Sequence, residues 1–83
     1  MANRTVLLVD VNGSALKQAR VTLEFEGLDV LEARDGEAGL EAARRNQPSL
    51  VVSAVGLPMR NGYDLCRAIA DDPILAATRV LLT

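Results

Sequence analysis

Few side chains in this chain could do chemistry, and they hardly converge. There is no histidine and a single cysteine, Cys66. These can build neither an intramolecular disulfide nor a zinc cluster, and Cys66 reads as a small apolar group on a helix face. In open α/β sheets, ligands bind outside the carboxyl ends of the strands, where the strand order switches. The positions at such ends are Asp10 and Val11, Ala54 to Gly56, and Thr83. Asp10 is the only carboxylate among them. Mg²⁺ demands near-octahedral oxygen coordination and is usually held through one or two carboxylates. A single carboxylate such as Asp10 is therefore expected to bind it weakly or not at all. No other cofactor is implied.

The elements that must position these residues follow from two alternating periods. Val6-Leu7-Leu8-Val9 is a continuous apolar run, as in a strand buried on both faces of a parallel sheet. Asn12-Gly13-Ser14 offers turn and N-cap chemistry before a helix over Ala15 to Glu26, with Leu16, Ala19, Leu23 and Val21 as apolar residues at helical spacing and Gly27 closing it. Leu28 to Ala33 reads as a second strand. Asp35 caps a second helix with Glu37 in its first turn, Arg44 and Arg45 at its end, and Pro48 as its stop. Leu50 to Ala54 forms a third strand, and residues 56–62 a loop rich in glycine and proline. Asn61 and Asp64 suit the start of a third helix from Gly62 to about Ala70, with Leu65, Cys66 and Ile69 inward. Arg79 to Thr83 begins a fourth strand. The pattern β-α-β-α-β-α-β predicts a parallel sheet covered by helices.

Composition bounds the rest. Eighty-three residues make one domain, with 49% apolar residues and a net charge of −2. The only aromatics are Phe25 and Tyr63, and no basic stripe is evident, which disfavours a nucleic-acid partner. No apolar run is long enough for a membrane span or a signal peptide, so a cytoplasmic location is expected.

Four segments resemble the receiver domains of two-component response regulators. Leu7-Leu8-Val9-Asp10 is similar to the family's first strand. Ala33-Arg34-Asp35-Gly36-Glu37-Ala38-Gly39-Leu40 is similar to the start of its second helix. Pro48 through Gly62 keeps the family's loop proline, Pro58, and glycine, Gly62, at their usual separation. Thr83 matches the Ser or Thr ending the fourth strand. The resemblance implies a flavodoxin-like (CheY-like) doubly wound sheet of order 2-1-3-4, with residues 1–83 as the N-terminal part of a receiver-like domain. It also implies a departure. The family moves a phosphoryl group from a histidine kinase onto an aspartate four residues before the loop proline, and here that position is Ala54. The second of two acids ending the first strand is Val11. Both direct side-chain metal ligands of the family are thus replaced, leaving Asp10 as the remaining acid of a remnant pocket with Val11, Ala54, Gly56 and Thr83.

The expectation is a pseudo-receiver acting as a phosphorylation-independent protein-interaction module, not an enzyme. Its partners would be proteins, such as a histidine kinase or a downstream signalling or motility protein, with no membrane contact. The alternative is a phosphoacceptor receiver seen as an inactive Ala54 variant. A single Ala54→Asp change would restore the family's wording, but Val11 is a second departure and favours the natural pseudo-receiver. A nucleotide-binding enzyme domain is disfavoured, because Asp10-Val11-Asn12-Gly13-Ser14 has neither a G-x-G-x-x-G nor a P-loop pattern. The resemblance further implies that a fourth helix, fifth strand and fifth helix are absent. The fourth strand is then expected to be an open edge that could pair with another chain by dimerisation or strand exchange, with apolar surface uncovered beside the first helix.

Overall fold

A computed structural model describes residues 3–83. Four strands, β1 (Thr5–Val9), β2 (Asp29–Ala33), β3 (Leu50–Ser53) and β4 (Arg79–Leu82), form one parallel sheet in the order β2-β1-β3-β4. The expected 2-1-3-4 order is observed. Three helices connect them: α1 (Gly13–Phe25), α2 (Gly36–Asn46) and α3 (Gly62–Asp71), followed by a 3-10 turn at Pro73–Leu75.

Strand alternation divides the core. Leu7, Val9 and Val51 point to one face, where Leu40 and Ala43 of α2 and Leu65 and Ile69 of α3 cover them. Val6, Leu8 and Val30 point to the other face and meet Leu16 of α1. The first face is closed. The second holds an open apolar groove of about 490 Å³ beside α1, with Leu8, Ala19, Leu23 and Val52 among its walls. At the edge of the sheet, Leu81 of β4 is 55% exposed.

Helix ends follow the sequence signals with small corrections. α1 begins at Gly13 rather than Ala15, because Asn12 is the cap and accepts the Ser14 and Ala15 N–H groups at 3.0 and 3.1 Å. Such a cap satisfies donors that the first turn leaves unpaired. Asp35 accepts from the Ala38 N–H at 2.7 Å, and Asn61 from Asp64 at 2.9 Å. Cys66 is half-buried, not a full core member like Leu65. Val21 is exposed rather than inward, because it lies on the side of α1 opposite Leu16 and Leu23. The 3-10 turn was not legible, because Asp72-Pro73 reads only as a helix stop. Asp72 in fact caps that turn through Ile74 N–H at 3.0 Å.

Asp72 also receives the Arg44 Nε–H at 2.8 Å, tying α2 to the end of α3. Arg44 is thus a cross-link, not only a solvated helix end. The Arg44 hydrogen bond, helped by the Ile74 N–H, holds the Asp72 carboxyl below its ordinary pKa. A folded-state pKa below the unfolded one means the stabilisation is complete above the unfolded value and is lost as pH falls through the folded value. Asp72→Asn keeps the cap to Ile74 and removes the charge. Its urea midpoint should lie below the parent's at neutral pH, and the gap should close as pH drops below about 4. A gap that persists undiminished in acid would show that the charge of Asp72 is not what matters.

Candidate functional site

Three strand ends meet at the carboxyl edge of the sheet. The ladder runs one residue past each strand. Asp10 N–H donates to Ala33 O at 3.1 Å, Ala54 N–H to Val9 O at 2.9 Å, and Thr83 N–H to Ser53 O at 2.8 Å. Ala54 therefore sits just beyond β3 rather than inside it, on the same level as Asp10 and Thr83. These three side chains line one cavity of about 160 Å³ beneath the N-terminal turn of α1. Its other walls are hydrocarbon, including Leu8, Val9, Leu16 and Val52. Asp10 and Thr83 carry the only side-chain oxygens in the lining.

Of the five residues predicted for the pocket, the structure brings these three together. Val11 is 49% exposed and Gly56 is exposed, and neither lines the cavity. Asp10 Oδ1 accepts the Asn12 N–H at 3.0 Å, so this carboxylate also braces the first strand-to-helix turn. The Thr83 hydroxyl approaches Ser53 O at 3.4 Å, a long and weak bond. Ser53 is fully buried, and its hydroxyl donates to Ala54 O at 2.8 Å. It points away from the cavity, as alternation requires.

The loop from Gly56 to Asn61 is held firmly. Leu57 is buried beneath it. Gly62 N–H donates to Val55 O at 2.8 Å, and Gly36 N–H to Pro58 O at 3.2 Å. Arg60 Nε lies 2.7 Å from a Glu37 carboxylate oxygen. Glycine is required at both contact points. A Cβ on Gly36 would collide with the Arg60 carbonyl and lie 2.6 Å from Arg60 Cβ. A Cβ on Gly62 would collide with Ala54 O and lie 2.9 Å from Val55 Cα. Met59 takes a left-handed conformation, φ 70°, and is 79% exposed. Sequence reading found Pro58 and Gly62 but missed the seat of the loop on α2. The Asp35-Gly36-Glu37 triplet was the available signal, since a glycine just inside a helix start has no conformational reason to be there.

Comparison with known proteins agrees with this architecture. A family model described as the response regulator receiver domain matches residues 6–83. The alkaline phosphatase synthesis transcriptional regulatory protein PhoP of Bacillus subtilis is 33% identical over 73 residues, covering 88% of this chain and 30% of PhoP. The DNA-binding response regulator MtrA of Mycolicibacterium paratuberculosis is 36% identical over 76 residues, covering 88% of this chain and 34% of MtrA. The chain thus spans about a third of the length of these curated relatives. The chemotaxis response regulator CheY4 of Vibrio cholerae superposes with a TM-score of 0.91 at 26% identity, over 98% of this chain and 68% of that one.

Proposed function

The chain belongs to the response regulator receiver domain family, with its CheY-like, flavodoxin-like fold, and within that family we propose that it is a pseudo-receiver. On this reading it works as a phosphorylation-independent protein-interaction module. The observation that carries the reading is the side chain at Ala54. It shares a cavity with Asp10 and Thr83, and it has no oxygen to accept a phosphoryl group. The donor set does not suit Mg²⁺ either. Asp10 is the sole carboxylate of the lining and already accepts a backbone N–H, while Val11 offers only hydrocarbon. One carboxylate and one hydroxyl fall short of the oxygen set that Mg²⁺ requires. No phosphoryl-transfer step is therefore assigned to this domain.

What remains is a scaffold that presents surfaces. The clamped loop holds Met59 in solvent, and exposed residues on a rigidly held loop are natural contacts for a protein partner. The partner would be a histidine kinase or another signalling protein in the cytoplasm. The net charge of −2 gives no support to nucleic-acid contact by this domain. PhoP and MtrA carry regulatory and DNA-binding names, but most of their length lies outside the match.

A second reading keeps the phosphorelay role and treats Ala54 as an inactivating variant. Its support is the intact surround: the Ala54 N–H keeps its ladder bond to Val9 O, and the Pro58–Gly62 loop is fully seated. Both readings predict that this chain stays unmodified by acetyl phosphate with Mg²⁺. Intact mass should show no added phosphoryl group. An adduct mapped to Asp10 or Thr83 would contradict both. They diverge in the full-length protein, where a phosphorylation-dependent output that maps to this domain favours the second.

A further inference from the structure

The outer face of α1 carries two apolar side chains in solvent. Phe25 is 88% exposed and Val21 59%. They are four residues apart and so share one stripe of the helix, opposite the inward Leu16 and Leu23. Lys17 and Glu24 lie along one flank of that stripe, on either side of Val21. Both are exposed, and among the described residues neither forms an ion pair within the chain.

We infer that this face pairs with the same face of a second copy of the chain, helix against antiparallel helix, with Val21 nearest the two-fold axis. A two-fold axis brings each flank against the same flank of the partner helix, run in reverse. Lys17 precedes Val21 by four positions and Glu24 follows it by three. Reversal therefore sets Lys17 of one copy beside Glu24 of the other, within about one residue's rise of 1.5 Å. Symmetry makes this pair twice. A parallel two-fold pair would instead set this flank against the opposite flank of the partner, and Lys17 would not meet Glu24. Phe25 of each copy reaches the hydrocarbon stem and ammonium of Lys17 in the other, a contact favourable in both its apolar and its cation–π parts. This charge order, basic at one end and acidic at the other, selects a second copy over an unrelated helix. One helix face is well below the roughly 1,600 Å² of a standard stable interface, so association is weak, with a Kd on the order of 10⁻⁴ M. This inference does not depend on the chemistry of the Ala54 cavity.

Sedimentation equilibrium of the chain, from about 10 μM to about 1 mM, tests it across that range. The parent should dimerise, more weakly as salt rises. Lys17→Glu turns two attractions into two repulsions and should weaken dimerisation about tenfold. Adding Glu24→Lys in the same chain should bring the affinity back to within about threefold of the parent. Phe25→Ala should weaken it at least as much as Lys17→Glu. All three side chains are exposed, and circular dichroism checks separately that each variant folds. A parent that stays monomeric throughout would overturn the inference. So would a dimer that ignores Lys17→Glu and responds instead to Leu81→Lys, which would place the contact on the β4 edge. Loss in Lys17→Glu without rescue by the double swap would overturn it as well.

Discussion

Gly36→Ala should cost about 3 kcal/mol or more and leave the chain largely unfolded under mild denaturant. Helix propensity alone predicts the opposite sign, since alanine is favoured over glycine by about 1 kcal/mol inside a helix. Contact decides the matter. The added Cβ would meet the Arg60 carbonyl, a backbone atom that cannot rotate away, and the loop from Pro58 to Arg60 would have to leave α2. Gly62→Ala should be comparably severe, because its Cβ meets the backbone at Ala54 and Val55. A domain of this size has a total stability of roughly 4–12 kcal/mol, so losses of this order are a large share of it. Gly56→Ala is the control. Nothing lies within 4 Å of a Cβ there, and its effect should stay within about 0.5 kcal/mol. Urea denaturation followed by circular dichroism measures all three. A parent-like midpoint for Gly36→Ala would mean that the loop does not rest on α2.

Returning two acids, by Val11→Asp with Ala54→Asp, should create a response to Mg²⁺ that the parent lacks. Without metal, the double variant should be the less stable protein. The acid at position 54 would share a hydrocarbon-walled cavity with Asp10, where like charges and poor solvation disfavour ionisation, and the acid at position 11 adds a third negative charge beside Asp10 in the chain. Mg²⁺ binds the folded form and recovers stability by mass action, about 2.7 kcal/mol at a concentration one hundred times Kd. The melting temperature of the variant should therefore climb with Mg²⁺ while that of the parent stays level. Parallel behaviour of the two proteins would mean that positions 11 and 54 do not control metal binding.

Much of this arrangement was legible in the sequence, for identifiable reasons. Val6 to Val9 and Leu50 to Val52 are apolar without interruption because both faces of their sheet pack against something. Asn12, Asp35 and Asn61 announced their helices because a side-chain oxygen is needed at each start. The convergence of Asp10, Ala54 and Thr83 followed from strand order, once the order was inferred from the resemblance. Other features resist one-dimensional reading. Arg44 and Asp72 are far apart in the chain and meet only because α2 and α3 pack side by side. The collision that fixes glycine at position 36 comes from Arg60, a contact no periodicity encodes. Val11 was grouped with the pocket by its neighbour Asp10, yet the strand has ended there and the side chain turns to solvent. The solvent-facing Phe25 was noted only as one of two aromatics, because its exposure depends on which face of α1 the sheet takes.

Beryllofluoride with Mg²⁺, titrated into the isotope-labelled chain and followed through amide chemical shifts, probes the emptied pocket most directly. Beryllofluoride stands in for a phosphoryl group only where a carboxylate and a metal hold it. For a pseudo-receiver, the amides of Asp10, Ala54 and Thr83 should not move beyond what Mg²⁺ and fluoride alone produce. Saturable shifts at those three positions would contradict it, by showing that the cavity still captures a phosphoryl mimic without the aspartate.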